Sequence, residues 1–294
     1  MRNVRVDLQR FFLRLRGGFE SLDGAVSSIT SQQILKIYGE RNTGTNYLEQ
    51  LMLRNFDANI LLGRAPDHHI QAYLSRAIKL ISEPRGVAYR HAWRDRYLVE
   101  SFDKQLGWKH MCPSPERLGP SRLANVKYVM VVKNPYSWAL SLFRRPYHVG
   151  GRDSSFDMFL ERKMPVMPEL ENIGTDEITP IEVWNRKVTG YLRLREEAHR
   201  SIIVRYEDLL ADEMQILCQI AKKLGIRVRK ELRPIKHGVK KHDAHIDRHY
   251  YQNYYISQMW RKKLTPQHIL KINSRLDRNL LKELDYDILD PNSL

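Results

Sequence analysis

Only two cysteines, Cys112 and Cys218, occur in 294 residues. No disulfide framework can therefore hold the chain, and the usage fits a reducing compartment. No apolar run approaches the roughly 18 residues a membrane-spanning helix needs. The stretch from Met1 to Arg16 interleaves arginines with apolar residues and lacks the uninterrupted apolar core of a secretion signal. No internal repeat or low-complexity tract is present. Negative charge is under-represented: 34 Asp and Glu stand against 49 Lys and Arg, a net charge of +15. Such a surface field draws anions. His237, His242, His245 and His249 fall close together, but no cysteine lies near them and their spacing matches no closed zinc site, so no metal is expected.

A further absence lies inside a motif. Ile34 to Tyr38 reads as a short apolar strand, Gly39 to Gly44 as a turn with glycines five apart, and Thr45 to Leu51 as the start of a helix. Backbone N–H groups in such a turn, with the positive end of the following helix, form a P-loop-like phosphate-binding turn. The nucleotide-hydrolase version continues with lysine and then a hydroxyl for magnesium. Here Thr45 and Asn46 stand in those places, which points to a grip on phosphate without hydrolysis of a triphosphate. An ordinary strand-to-helix turn is the alternative on this segment alone.

Val126 to Val132 is a continuous apolar run, the pattern of a strand buried on both faces. It ends in Lys133-Asn134-Pro135, with Ser141 one turn into the helix that follows. Ser201 to Val204 is a third strand, running into Arg205-Tyr206-Glu207-Asp208. Apolar periodicity marks helices over Ile181 to Glu197, over Asp208 to Leu224 closing at Gly225, and from Thr265-Pro266 to about Leu284. Strands alternating with helices predict an α/β fold, a mainly parallel sheet with helices on both faces. One domain is expected over 19–294, preceded by a basic amphipathic segment, 1–18, that ends at Gly17-Gly18. That segment suits peripheral contact with an anionic membrane or packing on the domain.

With these motifs in this order, the chain resembles the sulfotransferases that use 3′-phosphoadenosine 5′-phosphosulfate (PAPS). Their first motif is a strand, a loop around Gly-Thr and a helix holding the 5′-phosphosulfate. Their second is a strand ending in arginine with a serine eight positions on, holding the 3′-phosphate; Lys133 and Ser141 have that spacing. Tyr-Glu-Asp followed by leucine, here Tyr206 to Leu209, is common in the family. The resemblance implies that Arg41, Asn42, Thr43, Gly44, Thr45, Asn46 and Tyr47 surround the 5′-phosphosulfate, that Lys133 and Ser141 hold the 3′-phosphate, and that Tyr206 lies near the adenine. Lys240 and Lys241 correspond to a late basic loop drawn over the nucleotide. Glu207 and Asp208 read as helix-capping residues rather than catalytic ones.

His110, in Trp108-Lys109-His110-Met111 and twenty-three residues before Lys133, matches the family's general base in position and chemistry. His91, Glu83 and Glu100 are the alternatives. The chain departs from the family where Asn42 replaces the lysine that meets the bridging oxygen. Arg41, one position earlier, or Lys109 from the neighbouring strand end then supplies the catalytic charge. Lys133 in place of arginine keeps the charge and loses the bidentate fork. Cys112 reads as a packing residue beside Pro113 rather than a nucleophile.

The expected activity is transfer of a sulfuryl group from PAPS, as donor substrate and without metal, to an acceptor hydroxyl on a carbohydrate. The alternatives are a nucleotide-binding relative without turnover, a P-loop nucleotide kinase, and a basic nucleic-acid-binding protein. The last draws on the segment Lys222 to His249, where ten Lys and Arg outnumber three Asp and Glu, and on the aromatics Tyr250, Tyr251, Tyr254, Tyr255 and Trp260. Tyr251, Tyr254 and Tyr255 share one helical face, however, which favours packing, and no nucleic-acid partner is expected. Residues 150–153 and the stretch Met164 to Pro180 are the expected acceptor-side walls. The cytoplasm, including the membrane surface, is the expected location.

Overall fold

The computed structural model describes residues 33–65, 94–146, 153–175, 177–229, 231–235 and 248–293. The chain divides into two compact units, Met1–Gln33 and Ile34–Leu294. The described residues from Ile34 onward belong to the second. Its principal elements are β1 (Ile34–Gly39), α1 (Thr45–Asn55), β2 (Asn59–Leu61), β3 (Lys127–Val132), α2 (Pro135–Arg144), α3 (Pro180–Glu197), β4 (Ser201–Arg205), α4 (Tyr206–Ala211), α5 (Glu213–Leu224) and α6 (Arg248–Tyr255).

The four strands form one sheet in the order β2-β1-β3-β4, parallel throughout. Every residue of β3 is buried, so helices cover both faces, as an unbroken apolar run requires. The chain passes from β1 outward to β2, then returns to the other side of β1 to lay down β3. Strand order therefore reverses between β1 and β3, and a crevice opens beyond their carboxyl ends. Gly39 and Lys133 stand at those ends.

Lys36 lies mid-strand in β1 and is fully buried. Its stem fills core space and its ammonium donates to the carbonyls of Gln105 (2.5 Å) and Gly107 (2.6 Å). Burial, then the nearby Lys109, pushes its pKa well down. The lysine thus fastens the segment leading to Lys109 and His110. That segment is a turn rather than a strand end: Leu106 (φ 53°) and Gly107 (φ 74°) are left-handed, and left-handed residues cannot continue a strand.

Two helical runs that periodicity reads as single helices are each two. The run from Asp208 to Leu224 breaks at Asp212, whose extended backbone (φ −144°) and carboxylate cap α5 by accepting from Met214 N (3.1 Å) and Gln215 N (2.9 Å). The last run divides into Pro266–Asn273 and Arg278–Glu283, the second capped by Asp277 accepting from Asn279 N at 2.9 Å. Both halves pack on the same core, so the apolar spacing survives while an aspartate restarts the backbone. In α6, Tyr255 is buried and Tyr251 and Tyr254 pack against the core, whereas Tyr250 is exposed. Among the described residues no helix is long and apolar enough to cross a membrane.

Candidate functional site

The turn after β1 is built by its own residues. Thr43 returns both its N–H (3.2 Å) and its hydroxyl (2.5 Å) to the carbonyl of Glu40. Asn42 (φ 64°) and Gly44 (φ 87°) take left-handed conformations. Gly44 begins α1 without any side-chain cap, so the positive end of the helix faces the turn. A Cβ on Gly39 would lie 2.6 Å from Thr45 Cγ2 and 2.9 Å from the Val131 carbonyl. At Gly44 both φ and space forbid one, since a Cβ would stand 2.3 Å from the Tyr206 ring. Gly44→Ala is therefore expected to destabilise the fold by at least about 2 kcal/mol, from left-handed strain plus the clash. A wild-type unfolding midpoint in urea would show that the turn yields.

Two clusters of cations flank the turn. The Arg41 guanidinium is buried, pairing with Glu40 Oε1 (2.9 Å) and with both oxygens of Glu171, one of them at 3.3 Å, and it lies 4.7 Å from the Trp108 ring. Lys187, fully buried on α3, pairs with Glu40 (3.0 Å) and Glu171 (2.7 Å) and donates to the carbonyl of His110. Two positive and two negative charges thus close on one another. Burial would lift the Glu171 carboxyl, but Lys187 and Arg41 outweigh it and hold it below the usual carboxylate range. In the second cluster, Lys109 Nζ reaches Asn46 Oδ1 (2.5 Å) in the first turn of α1 and Glu49 Oε2 (3.1 Å). Glu49 also pairs with Arg64 at 3.3 Å.

His110 sits directly on the turn. Gly39 N donates to Lys109 O (2.9 Å), and His110 Nδ1 stands 2.6 Å from the Gly39 carbonyl. A carbonyl only accepts, so Nδ1 carries the proton and Nε2 keeps its lone pair. Burial of the ring, then Lys109, with smaller contributions from Arg41 and Lys187, pushes the imidazole well below the ordinary histidine value. The ring is neutral at pH 7, the form a general base needs.

On the β3 side, Lys133 Nζ is 3.0 Å from Ser141 Oγ and 3.3 Å from the Asn42 carbonyl, which joins this strand end to the turn. It lies 3.8 Å from the centre of the Tyr255 ring and 5.1 Å from that of Tyr206. Two indoles fix the backbone: Trp184 Nε1 donates to Lys133 O (3.0 Å) and Trp138 Nε1 to Arg41 O (2.8 Å). Glu207 accepts from Asn134 N (3.0 Å) and from the Tyr286 hydroxyl (2.8 Å). Its carboxylate therefore holds the turn at the start of α2.

The residues expected at a donor site are thus joined around one turn: His110 through Gly39, Lys133 through Asn42, Tyr206 through Gly44, Lys109 through Asn46. Tyr47 instead turns its hydroxyl to Glu213 on α5. Glu100 pairs with Arg96 at 2.6 Å in an exposed position. Lys240, Lys241, His91, Glu83 and residues 150–152 lie outside the described residues. Within Met164 to Pro180, the short helix Pro168–Glu171 delivers Glu171. The Cys112 thiol meets Gly190 and is pushed up by burial, away from a nucleophile's range.

Sequence reasoning missed Glu40, Glu49, Glu171, Lys187 and Tyr255. Lys187 left a trace, a charge inside the apolar stripe of Trp184, Val188 and Tyr191; Glu171 left none.

The family model for the sulfotransferase domain matches residues 110–282, more than half of the chain. Its span takes in Lys133, Ser141 and Tyr206 and begins beyond the Gly39 to Gly44 turn. Among solved structures, the sulfotransferase domain from the curacin biosynthetic pathway is 17% identical, with a TM-score of 0.42, over 88% of this chain and 99% of that one. No curated protein sequence matches.

Proposed function

The chain belongs to the sulfotransferase family and is a transferase of sulfuryl groups, and on that premise we propose that its donor is PAPS and its acceptor a carbohydrate hydroxyl. The observation that carries this reading is the pair Lys133 and Ser141, 3.0 Å apart at the carboxyl end of β3 and tied to the glycine turn through Asn42. Two anion grips at the carboxyl ends of adjacent parallel strands suit a nucleotide with phosphate groups at both its 5′ and 3′ positions. A triphosphate would use only the first, and Thr45 and Asn46 leave that grip without the lysine and the magnesium-binding hydroxyl.

The donor supplies the activated sulfuryl group. What remains for the protein is alignment, positive charge where negative charge gathers, and a base. The turn and the start of α1 hold the 5′ end. Lys109, brought to Asn46 by its own segment, supplies the charge that the missing lysine would have given. Arg41 remains in its buried cluster and fixes the shape of the turn. Lys133 and Ser141 hold the 3′-phosphate, and Tyr206 lies on the adenine side. His110 Nε2 takes the acceptor proton, its ring oriented by the Gly39 carbonyl.

A net charge of +15 exceeds what one donor requires and favours an anionic acceptor such as an acidic polysaccharide. Incubation with radiolabelled donor and a panel of acidic oligosaccharides, neutral sugars and lipid alcohols tests this. Label entering the acidic sugars is expected. Label entering only the lipid alcohols would overturn the acceptor class while leaving the donor intact.

A further inference from the structure

Lys133 is a lysine where the resemblance expects arginine, so the strand end keeps its charge and loses a second directed donor. The structure places another donor there. Tyr255, the last residue of α6, is buried with its ring against Lys133 Nζ and its hydroxyl 3.2 Å from Ser141 Oγ. The direction of that hydrogen bond follows from its neighbours. Ser141 has one hydroxyl proton, and it donates to the Ser137 carbonyl at 2.8 Å. Ser141 Oγ is therefore an acceptor, and Tyr255 donates. Lys133 Nζ, 3.0 Å away, donates to the same oxygen.

Packing alone does not call for this hydroxyl. The ring meets Tyr206 edge-on (5.2 Å between centres) and stacks on Tyr251 (6.4 Å), contacts a phenylalanine would reproduce. What the oxygen adds is a polar hydrogen converging with the Lys133 ammonium on one buried point. An anion reaching that point would meet a fixed charge and a directed O–H, the two properties an arginine fork combines.

We propose that the Tyr255 hydroxyl is a third donor to the 3′-phosphate and makes the site select nucleotides phosphorylated at that position. The inference rests on the donor reading above. On binding, Tyr255 transfers its hydrogen bond from Ser141 Oγ to a phosphate oxygen, Lys133 does the same with one of its protons, and Ser141 turns its own proton from the Ser137 carbonyl to the phosphate.

The test is calorimetric titration of wild type, Tyr255→Phe and Ser141→Ala with adenosine 3′,5′-bisphosphate and with adenosine 5′-monophosphate. Tyr255→Phe keeps the ring beside Lys133. It is expected to weaken bisphosphate binding about tenfold or more, as loss of a hydrogen bond to a charged group does, with monophosphate binding unchanged. Equal weakening of both nucleotides would assign the hydroxyl a structural role and overturn the proposal, as would no change in either. If Ser141→Ala loses selectivity and Tyr255→Phe retains it, the donor reading stands and this inference alone falls. If wild type does not prefer the bisphosphate, both fall together.

Discussion

Replacing His110 with alanine is expected to slow sulfuryl transfer by about 10²–10⁴-fold, the usual contribution of a positioned general base. The geometry allows a sharper version. His110 Nδ1 serves the Gly39 carbonyl at 2.6 Å, so alanine removes both a base and a brace of the turn. His110→Asn offers an amide N–H in place of Nδ1 and has no basic nitrogen. Under the proposed role it binds nucleotide as wild type does and shows the same slowing; full activity in it would reduce His110 to a brace.

The pH profile follows from the same ring. Protonation removes the base, so the rate falls on the acid side of the imidazole pKa. Burial, then Lys109, lowers that pKa, so the neutral form persists into more acidic solution than for an ordinary histidine. The plateau of kcat/KM is expected to extend below about pH 6.5, the unperturbed value. An acid limb above that value would contradict the assigned environment.

The second large effect concerns stability. Lys187 is fully buried between Glu40 and Glu171, and methionine would match its stem without its charge. Lys187→Met leaves two buried carboxylates sharing Arg41 and leaves the His110 carbonyl without its ammonium partner. A loss of about 3–5 kcal/mol in denaturant unfolding is expected, the cost of breaking a buried pair by removing one member. Adding Glu171→Gln removes the surplus negative charge, so the double variant should recover a substantial part of the loss. Two additive single effects would show that the four charges do not act as a unit. Glu171 also gives the cluster an acid sensitivity. With its folded pKa depressed, it contributes stability above its unfolded value of about 4.3, and that stability is lost as pH falls toward the folded pKa.

What the sequence discloses of this site is what local backbone chemistry dictates. Gly39 and Gly44 are legible because a turn into a helix needs a residue without Cβ where φ is positive and where a strand carbonyl passes close. Lys133 and Ser141 are legible because one strand end and a helix turn fix their separation, and Asn134-Pro135 marks that helix's start. Strands β1, β3 and β4 of the parallel sheet follow from their apolar runs, whereas the three-residue β2 is too short to leave such a run.

The electrostatic support is hidden for the opposite reason. Glu171 meets Arg41 from 130 residues away, on a four-residue helix whose sequence gives no sign of burial. Tyr255 shows its packing face as a stripe of tyrosines, but the direction of its hydroxyl depends on where α6 lies against Ser141. Asp212 and Asp277 divide helices whose apolar spacing continues unbroken, since periodicity reports the buried face and not the continuity of the backbone. Lys36 interrupts an apolar strand and still belongs to the core, because two carbonyls from a distant turn receive its ammonium.

The donor assignment is tested most directly by calorimetric titration, without added metal, of wild type and Lys133→Ala with adenosine 3′,5′-bisphosphate and with ATP. Preferential binding of the bisphosphate is predicted, with a loss of about 10- to 100-fold in the variant, as removal of a charge-assisted contact produces. Preference for ATP, or undiminished bisphosphate affinity in Lys133→Ala, would contradict the placement of the nucleotide across the ends of β1 and β3.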